Sequence, residues 1–439
     1  MFALYNVLLV LLSPIWAIVL LRRLAVGKSR SGWADRWGRP EIDPSHEIGL
    51  SIWVHAASVG EVIAATPILE ELYQRWPGVD IFISTITPGG HETAMALKGR
   101  LASFVFFAPF DLPWTVKRTL SLVRPDVLVL LETELWPNLI ALAKRSGAHV
   151  VVANGRISDR SVGKYLKLRG LFRWVMSHVD DILVQTPTDA DRFTAIGADP
   201  ARVSVLGNAK FDQTTEQLDE EALRTLRSVL KLPDGAPVWV VGSTRTAAEE
   251  REIVQAYLKA KQEIPDLVLI HAPRHIERAD DLISIMRQFG LTPIRRSELD
   301  QLEGSAGQIV LDTFGELAKI YGVGDVAYIG NSLLAPGGGQ NLLQPLAQGK
   351  PAIYGPYMAN FRDLAAMAES AGVGFRVSDA DELARKLVSI LKDPAGRSAI
   401  SEQARALIRE NQGAAARYAE AISAHLAVHV HQMEHVFDV

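Results

Sequence analysis

The chain of 439 residues contains no cysteine. Disulfides, thiolate nucleophiles and cysteine-ligated zinc are therefore excluded. No segment carries the Gly-x-x-x-x-Gly-Lys-Ser/Thr pattern of a P-loop. Nor does a clear Gly-x-Gly-x-x-Gly follow the first strand-like run, and this weakens the case for ATP or NAD chemistry. His-rich metal spacing is lacking, as is any Ser-His-Asp arrangement, so no metal is expected. An excess of charge is missing too. The net charge of −4 leaves the chain as a whole without an electrostatic footprint for nucleic acid. Locally, charge is absent from Phe2 to Leu21. That length matches the ~20 residues a bilayer requires. Six basic residues against one acidic residue follow between Arg22 and Arg39. The positive-inside rule then predicts a membrane anchor over 1–26, with the rest of the chain in the cytoplasm. A helix lying on the membrane is the alternative.

What is present is an ordinary globular composition, 48% apolar and 22% charged, in a chain long enough for two domains. Apolar strand-like runs alternate with helical periodicity. In the first half they are Ile52–Val54, Ile81–Thr85, Phe104–Phe107, Asp126–Leu131, His149–Ala153, Asp181–Val184 and Val203–Leu206. One long basic, aromatic helix is expected over Ser161–Ser177. A second series comprises Pro237–Val241, Leu267–Ile270, Ile309–Val310, Val326–Ile329 and Ala352–Tyr354. Such alternation predicts an α/β chain of two doubly wound, Rossmann-like domains. The expected divisions are 27–212, a polar linker over 213–220, a second domain over 221–395, and a helical tail over 396–439.

The stretch Ser51-Ile-Trp-Val-His-Ala-Ala-Ser-Val-Gly-Glu61 reads as strand, small-residue turn and helix start. In an open parallel sheet such turns lie at the carboxyl ends of strands, where ligands bind. Gly60 is expected to allow close backbone approach or an unusual φ. Glu61 falls in a first helical turn, which suits a carboxylate. Glu132, Glu134, Arg156 and Lys210 follow later strands of the same half. In the second half, Gly242-Ser243-Thr244 precedes a helix, and His271-Ala-Pro-Arg274-His275 follows the next strand. Thr313-Phe-Gly315-Glu316 and the glycine run of Pro336-Gly-Gly338-Gly-Gln-Asn341 open further helices. Several turns of this kind on one sheet edge predict a nucleotide site. The residues alone therefore describe a membrane-tethered enzyme with a nucleotide-type donor in its second half and a carboxylate base in its first.

In their order these motifs resemble the bacterial 3-deoxy-D-manno-octulosonic acid (Kdo) transferases, GT-B glycosyltransferases of lipid A assembly. The matching stretches include Trp53–Glu61, Glu132–Asn138, Asn154–Ser158, Gly207–Asp212, Gly242–Thr244, Ala272–His275, Gly315–Leu317, Gly338–Asn341 and Asn360-Phe361. The resemblance implies two Rossmann-like domains facing a central cleft. It implies inverting transfer of Kdo from CMP-Kdo to a lipid A precursor at the inner face of the bacterial cytoplasmic membrane, with no separate cofactor. Glu61 takes the place of the family's essential glutamate and is assigned as general base. Ser58, Gly60, Glu132, Glu134, Arg156 and Lys210 are expected to shape the acceptor site. Ser243, Thr244, Arg274, His275, Gly315, Glu316, Gly338, Asn341, Gln344 and Asn360 are expected to hold the donor. Gln340 and Gln344 depart from the usual family His and Glu, and a weakened ribose contact is expected at Gln344. A transferase using another activated sugar, and a nucleotide-sugar epimerase of similar fold, are the alternatives. The assignment of Glu61 carries a tension. A helix start lowers a carboxylate's pKa, whereas a base works best near neutrality. Apolar surroundings such as Trp53, or bound lipid, are expected to compensate.

Overall fold

A computed structural model of the chain describes residues 1–11, 13, 32–42, 49–213 and 217–437. The chain divides into two compact units. The first combines Met1–Asp212 with Asn411–Val439, and the second is Gln213–Glu410.

The first unit holds seven parallel strands: β1 (Ser51–His55), β2 (Asp80–Thr85), β3 (Phe104–Phe107), β4 (Val127–Leu131), β5 (His149–Gly155), β6 (Asp181–Val184) and β7 (Val203–Val205). Their order is β3-β2-β1-β4-β5-β6-β7. The order reverses beside β1, so the crevice of a doubly wound sheet opens at the carboxyl ends of β1 and β4. Period-two alternation assigns the side chains to the two faces. Ile52, Val54, Val127, Val129 and Leu131 enter one core, while Trp53, Leu128 and Leu130 enter the other. A continuous apolar run such as Val127–Leu131 is what burial on both faces demands.

Helices of this unit are α1 (2–11), α2 (Trp33–Arg36), α3 (Val59–Arg75), α4 (Pro88–Met95), α5 (Pro113–Val123), α6 (Pro137–Arg145), α7 (Asp159–Lys167), α8 (Arg169–Met176) and α9 (Pro187–Ile196). The single helix expected over Ser161–Ser177 is two helices. Leu168, at φ −109° and ψ 25°, leaves helical geometry between them. Tyr165 and Phe172 then pack edge to face across the break, 4.6 Å between ring centroids.

The expected membrane-crossing helix is not supported. Among the described residues no helix is long and apolar enough to cross a membrane. Positions 12 and 14–31, which include much of that expectation, lie outside the described residues. The described part, α1, docks on the first unit through polar groups. The Tyr5 hydroxyl donates to Asp111 at 2.9 Å, and the amides of Asn6 and Asn138 exchange two hydrogen bonds.

The second unit repeats the plan with β8 (Val238–Thr244), β9 (Val268–Pro273), β10 (Ile294–Arg295), β11 (Gln308–Val310), β12 (Val326–Ile329), β13 (Ala352–Tyr354) and β14 (Gly374–Arg376). All are parallel, in the order β10-β11-β9-β8-β12-β13-β14. Its helices are α10 (Glu220–Val229), α11 (Ala247–Glu263), α12 (Ala279–Gln288), α13 (Leu317–Val323), α14 (Leu343–Ala347), α15 (Arg362–Ser370), α16 (Ala380–Leu391) and α17 (Pro394–Asn411).

The helical tail is two helices. After α17 the chain turns at Gly413, φ 80°, and α18 (Ala414–Phe437) packs against α3 of the first unit. Ala414, Ala415, Tyr418, Ala419, Ile422 and Leu426 are buried there with Val62, Ala65, Ile68, Leu69 and Leu72. The Asp212 carboxylate accepts from the N–H groups of Gly413 and Ala415 and so caps the start of α18.

Candidate active site

In the first unit the site is built on the turn between β1 and α3. Ser58 is the N-cap residue of α3, and Ser58-Val-Gly-Glu61 has the spacing of a capping box. The bonding differs from that box. The Ser58 hydroxyl donates to one Glu61 carboxylate oxygen at 2.8 Å, and the Ala57 N–H donates to the other at 2.7 Å. Glu61 is thus fixed at both oxygens while only 8% exposed.

Gly60 does not behave as expected. It lies within the helix with no positive φ, and a Cβ there would meet only the Ser58 hydroxyl, at 4.0 Å. The close approach is made by Gly90 instead. A Cβ on Gly90 would lie 2.9 Å from the Thr87 hydroxyl and 3.1 Å from the Ser58 carbonyl carbon. The start of α4 thereby backs the Glu61 turn, and the N–H groups of Ile86 and Thr87 both donate to the Ala57 carbonyl.

Two further carboxylates converge on this turn from the end of β4. Glu132, at φ 53°, pairs with Lys210 at 2.9 Å. Lys210 is therefore engaged within the protein. The Glu134 carboxylate accepts from the Trp136 indole N–H at 2.7 Å, and the same oxygen lies 3.5 Å from His55 Nε2. His55 is fully buried. Its other ring nitrogen meets the Ser84 hydroxyl at 2.8 Å, and that hydroxyl accepts from the Trp53 indole N–H, also at 2.8 Å. A chain of polar contacts therefore runs from Trp53 through Ser84 and His55 to Glu134. Arg156 lies in the next loop, whose carbonyl accepts from the Thr133 hydroxyl and ties the two loops together.

This arrangement sets the proton affinity of Glu61. Burial first, then the charges of Glu134 and Glu132, raise its pKa to about 7, against the pull of the Ser58 and Ala57 hydrogen bonds. The compensation thus comes from burial and two neighbouring carboxylates. Trp53, the expected source, belongs to the core on one face of the sheet and serves as a donor to Ser84. Glu134 behaves oppositely. Burial alone would raise its pKa, but the adjacent His55 ring and the Trp136 hydrogen bond hold it below its ordinary value. Two carboxylates with pKa values pushed apart are the pattern of an acid–base site.

In the second unit, Ser243 takes a left-handed conformation, φ 63°, where the β8–β9 register shifts. The strand continues through Thr244, beyond its expected end. Thr244 is fully buried, and its hydroxyl contacts Glu250 at 3.3 Å and His271 Nε2 at 3.1 Å. It thus faces the protein interior, engaged by Glu250 and His271. Gly330 closes in behind: a Cβ there would lie 2.5 Å from the Ser243 carbonyl carbon.

Arg274 is exposed and held by its N–H on the Thr244 carbonyl at 2.8 Å. Partial burial and the neighbouring Arg245 cation both lower its pKa. Two guanidinium groups crowded at the ends of β8 and β9 make an anion-attracting edge. Arg245 is absent from the residues singled out in the sequence. Its position directly after Ser243-Thr244 is the signal that would have found it.

His275 is exposed beside Arg274. Gly315 has φ 85°, and the Glu316 carboxylate bonds to Arg296 and the Thr313 hydroxyl. Asn341 accepts from Leu343 N–H at 3.0 Å, and Gln344 lies in α14. Gly338 and Asn360 are adjacent: the Asn360 N–H donates to the Gly338 carbonyl at 2.9 Å.

A family model described as 3-deoxy-D-manno-octulosonic-acid transferase (kdotransferase) matches residues 31–213. A 3-deoxy-D-manno-octulosonic acid transferase of Haemophilus influenzae is 34% identical over 378 residues, 85% of this chain and 87% of that protein. The chain belongs to the Kdo transferase family. It is accordingly a glycosyltransferase. A Bordetella pertussis transferase of the same description is 32% identical over 396 residues, covering 88% of this chain and 90% of that protein. The crystal structure of a Rickettsia africae glycosyltransferase superposes with a TM-score of 0.53 at 12% identity, over 86% of this transferase and 98% of that chain. Two parallel-sheet α/β domains of the GT-B type are shared with it.

Proposed function

We propose that this transferase moves Kdo from CMP-Kdo to a hydroxyl of a lipid A precursor, with inversion at the anomeric carbon. Glu61 takes the proton from the acceptor hydroxyl. The freed oxygen attacks the anomeric carbon of Kdo as its bond to the CMP phosphate oxygen breaks, and CMP leaves. A carboxylate with a pKa near neutrality is matched to this task, since a substantial fraction is ionised near neutral pH and it is a stronger base than an ordinary carboxylate. Glu132, Glu134 and Arg156 line the acceptor side, with Lys210 balancing Glu132. On the donor side Arg274 and Arg245 offset the charge developing on the phosphate, a role for cations that requires no metal. Ser243, His275, Gly315, Glu316, Gly338, Asn341, Gln344 and Asn360 complete the donor contacts.

The reading extends to place. Leu4, Val7, Leu8 and Leu11 point outward from α1. Lys164, Lys167, Arg169 and Arg173 are exposed on α7 and α8. Phe2 and Trp174 pack 6.1 Å apart and join these elements. An apolar helix face beside exposed cations suits the surface of an anionic membrane, here the cytoplasmic face of the bacterial inner membrane.

The observation that carries the proposal is the doubly held, buried Glu61 in a member of this family. The test is transfer with CMP-Kdo and a lipid A precursor. Glu61→Gln is expected to lose roughly 100- to 10,000-fold in kcat. Full activity in that variant would remove Glu61 as the base. Turnover of a different activated sugar, with none of CMP-Kdo, would overturn the donor.

A further inference from the structure

The start of α11 carries two consecutive buried glutamates that the proposed chemistry does not use. Thr246-Ala-Ala-Glu249 is again a capping-box sequence, in which the glutamate would return to the N–H of its own N-cap residue. Thr246 performs its half, accepting from the Glu249 N–H at 3.3 Å. The Glu249 side chain does something else. It reaches the end of β12 and accepts from the N–H groups of Asn331 (2.8 Å), Ser332 (2.9 Å) and Leu333 (3.2 Å), and from the Tyr328 hydroxyl (3.1 Å). Glu249 is 2% exposed. Its neighbour Glu250 turns to the other side, towards Arg278 and Thr244.

The three amides held by Glu249 belong to a turn with no ladder partner of its own. Asn331 stands at φ 56°. From this turn the bonding continues outward into the glycine-rich loop. The Asn331 carbonyl accepts from Gly339 N–H at 2.7 Å, and the Ser332 carbonyl from Tyr357 N–H at 2.9 Å. Tyr357 in turn accepts from Gly338 N–H at 2.9 Å, and Gly338 from Asn360 N–H at 2.9 Å. The Ser332 hydroxyl accepts from Gly355 N–H at 2.9 Å. Gly337, Gly338 and Gly339 all have positive φ, at 53°, 132° and 75°. Loops of this conformation are soft unless their backbone groups are fixed from outside. Here they are fixed in series, and the series begins at one carboxylate.

We propose that Glu249 is a positioning residue for donor binding: by holding Asn331–Leu333 it sets Gly338, Gly339 and Asn360 in place for the nucleotide sugar. The inference rests on the proposed reading of that loop as part of the donor site. Glu249→Gln keeps the size and one carbonyl acceptor but turns an amide N–H₂ towards backbone N–H donors.

The experiment compares full-length wild type with Glu249→Gln and with Tyr328→Phe, which removes only the hydroxyl donor. Initial rates are measured against CMP-Kdo and against the lipid acceptor, together with hydrogen exchange over 331–340 and thermal unfolding. For Glu249→Gln we expect the donor KM to rise about 10-fold, in line with loss of charge-assisted hydrogen bonds, with the acceptor KM unchanged. Exchange over 331–340 should accelerate in parallel, and Tyr328→Phe should show the same pattern at about 2-fold. An unchanged donor KM in a folded Glu249→Gln protein overturns the proposal. So does an equal rise in both KM values, which marks general destabilisation. If Glu249→Gln does not fold, an unaltered donor KM in Tyr328→Phe overturns it. Wild type that fails to turn over CMP-Kdo would instead sink the donor reading. The positioning role then stands or falls on whether exchange over 331–340 accelerates.

Discussion

Glu61 is held by two hydrogen bonds that favour its charged form and by surroundings that oppose it, and the surroundings prevail. Activity should therefore fall as pH drops through about 7, because the proposed base becomes protonated there. Removing one repelling charge should lower that threshold. In a kcat–pH profile, Glu134→Gln is expected to move the acid limb to lower pH by about 1 unit. An unmoved limb would dissociate Glu134 from Glu61. The same shift has a stability consequence of defined sign. A carboxyl whose folded-state pKa exceeds its ordinary 4.5 binds its proton more tightly when folded. The fold thus loses stability as pH rises through the window from 4.5 to about 7, and the loss is complete above it. Glu61→Gln is expected to be more stable than wild type at pH 8 by on the order of 1–3 kcal/mol, seen as a higher unfolding temperature, and to match it at pH 4. Catalytic competence and stability are opposed at this one position.

At the scale of elements, the turn that presents Glu61 depends on α4 behind it. Gly90→Ala should help the helix by about 0.5–1 kcal/mol through propensity, yet its Cβ would press on Thr87 and the Ser58 backbone. The expected result is a small change in melting temperature with a kcat lowered about 10-fold, since sub-ångström misplacement of a catalytic group is costly. Comparable losses in stability and rate would show that the contact is merely structural. Much of this layer was legible in the chain. Central strands such as Val127–Leu131 announce themselves as apolar runs, and Ser58 and Glu61 mark the start of α3 by type and spacing. The short edge strands Ile294–Arg295 and Gly374–Arg376 did not, because two or three residues are too few to give a pattern. The inward turn of Thr244 was equally hidden. It depends on Gly330 and His271, which are distant in sequence, as well as on Glu250 in the next helix. The same holds for the chain from Trp53 to Glu134, which assembles three separate strand ends.

On the scale of the whole molecule, α18 completes the first unit from the far end of the chain. Its burial of Tyr418, Ile422 and Leu426 alone is worth roughly 5–9 kcal/mol by transfer arithmetic, comparable to the whole stability of a typical domain. Protein ending at Glu410 is therefore expected to leave the first unit sensitive to limited proteolysis, while residues 213–410 persist as a resistant core. Resistance of 49–212 in that truncated protein would show that α18 is dispensable. The path of the chain then orders its manufacture. The polypeptide enters the second unit after Asp212 and returns at Asn411, so the ribosome releases everything the second unit needs before the last helix of the first. A prematurely terminated product therefore carries Glu61 on an unfinished scaffold, and only one translated through the last helix can close the core behind it.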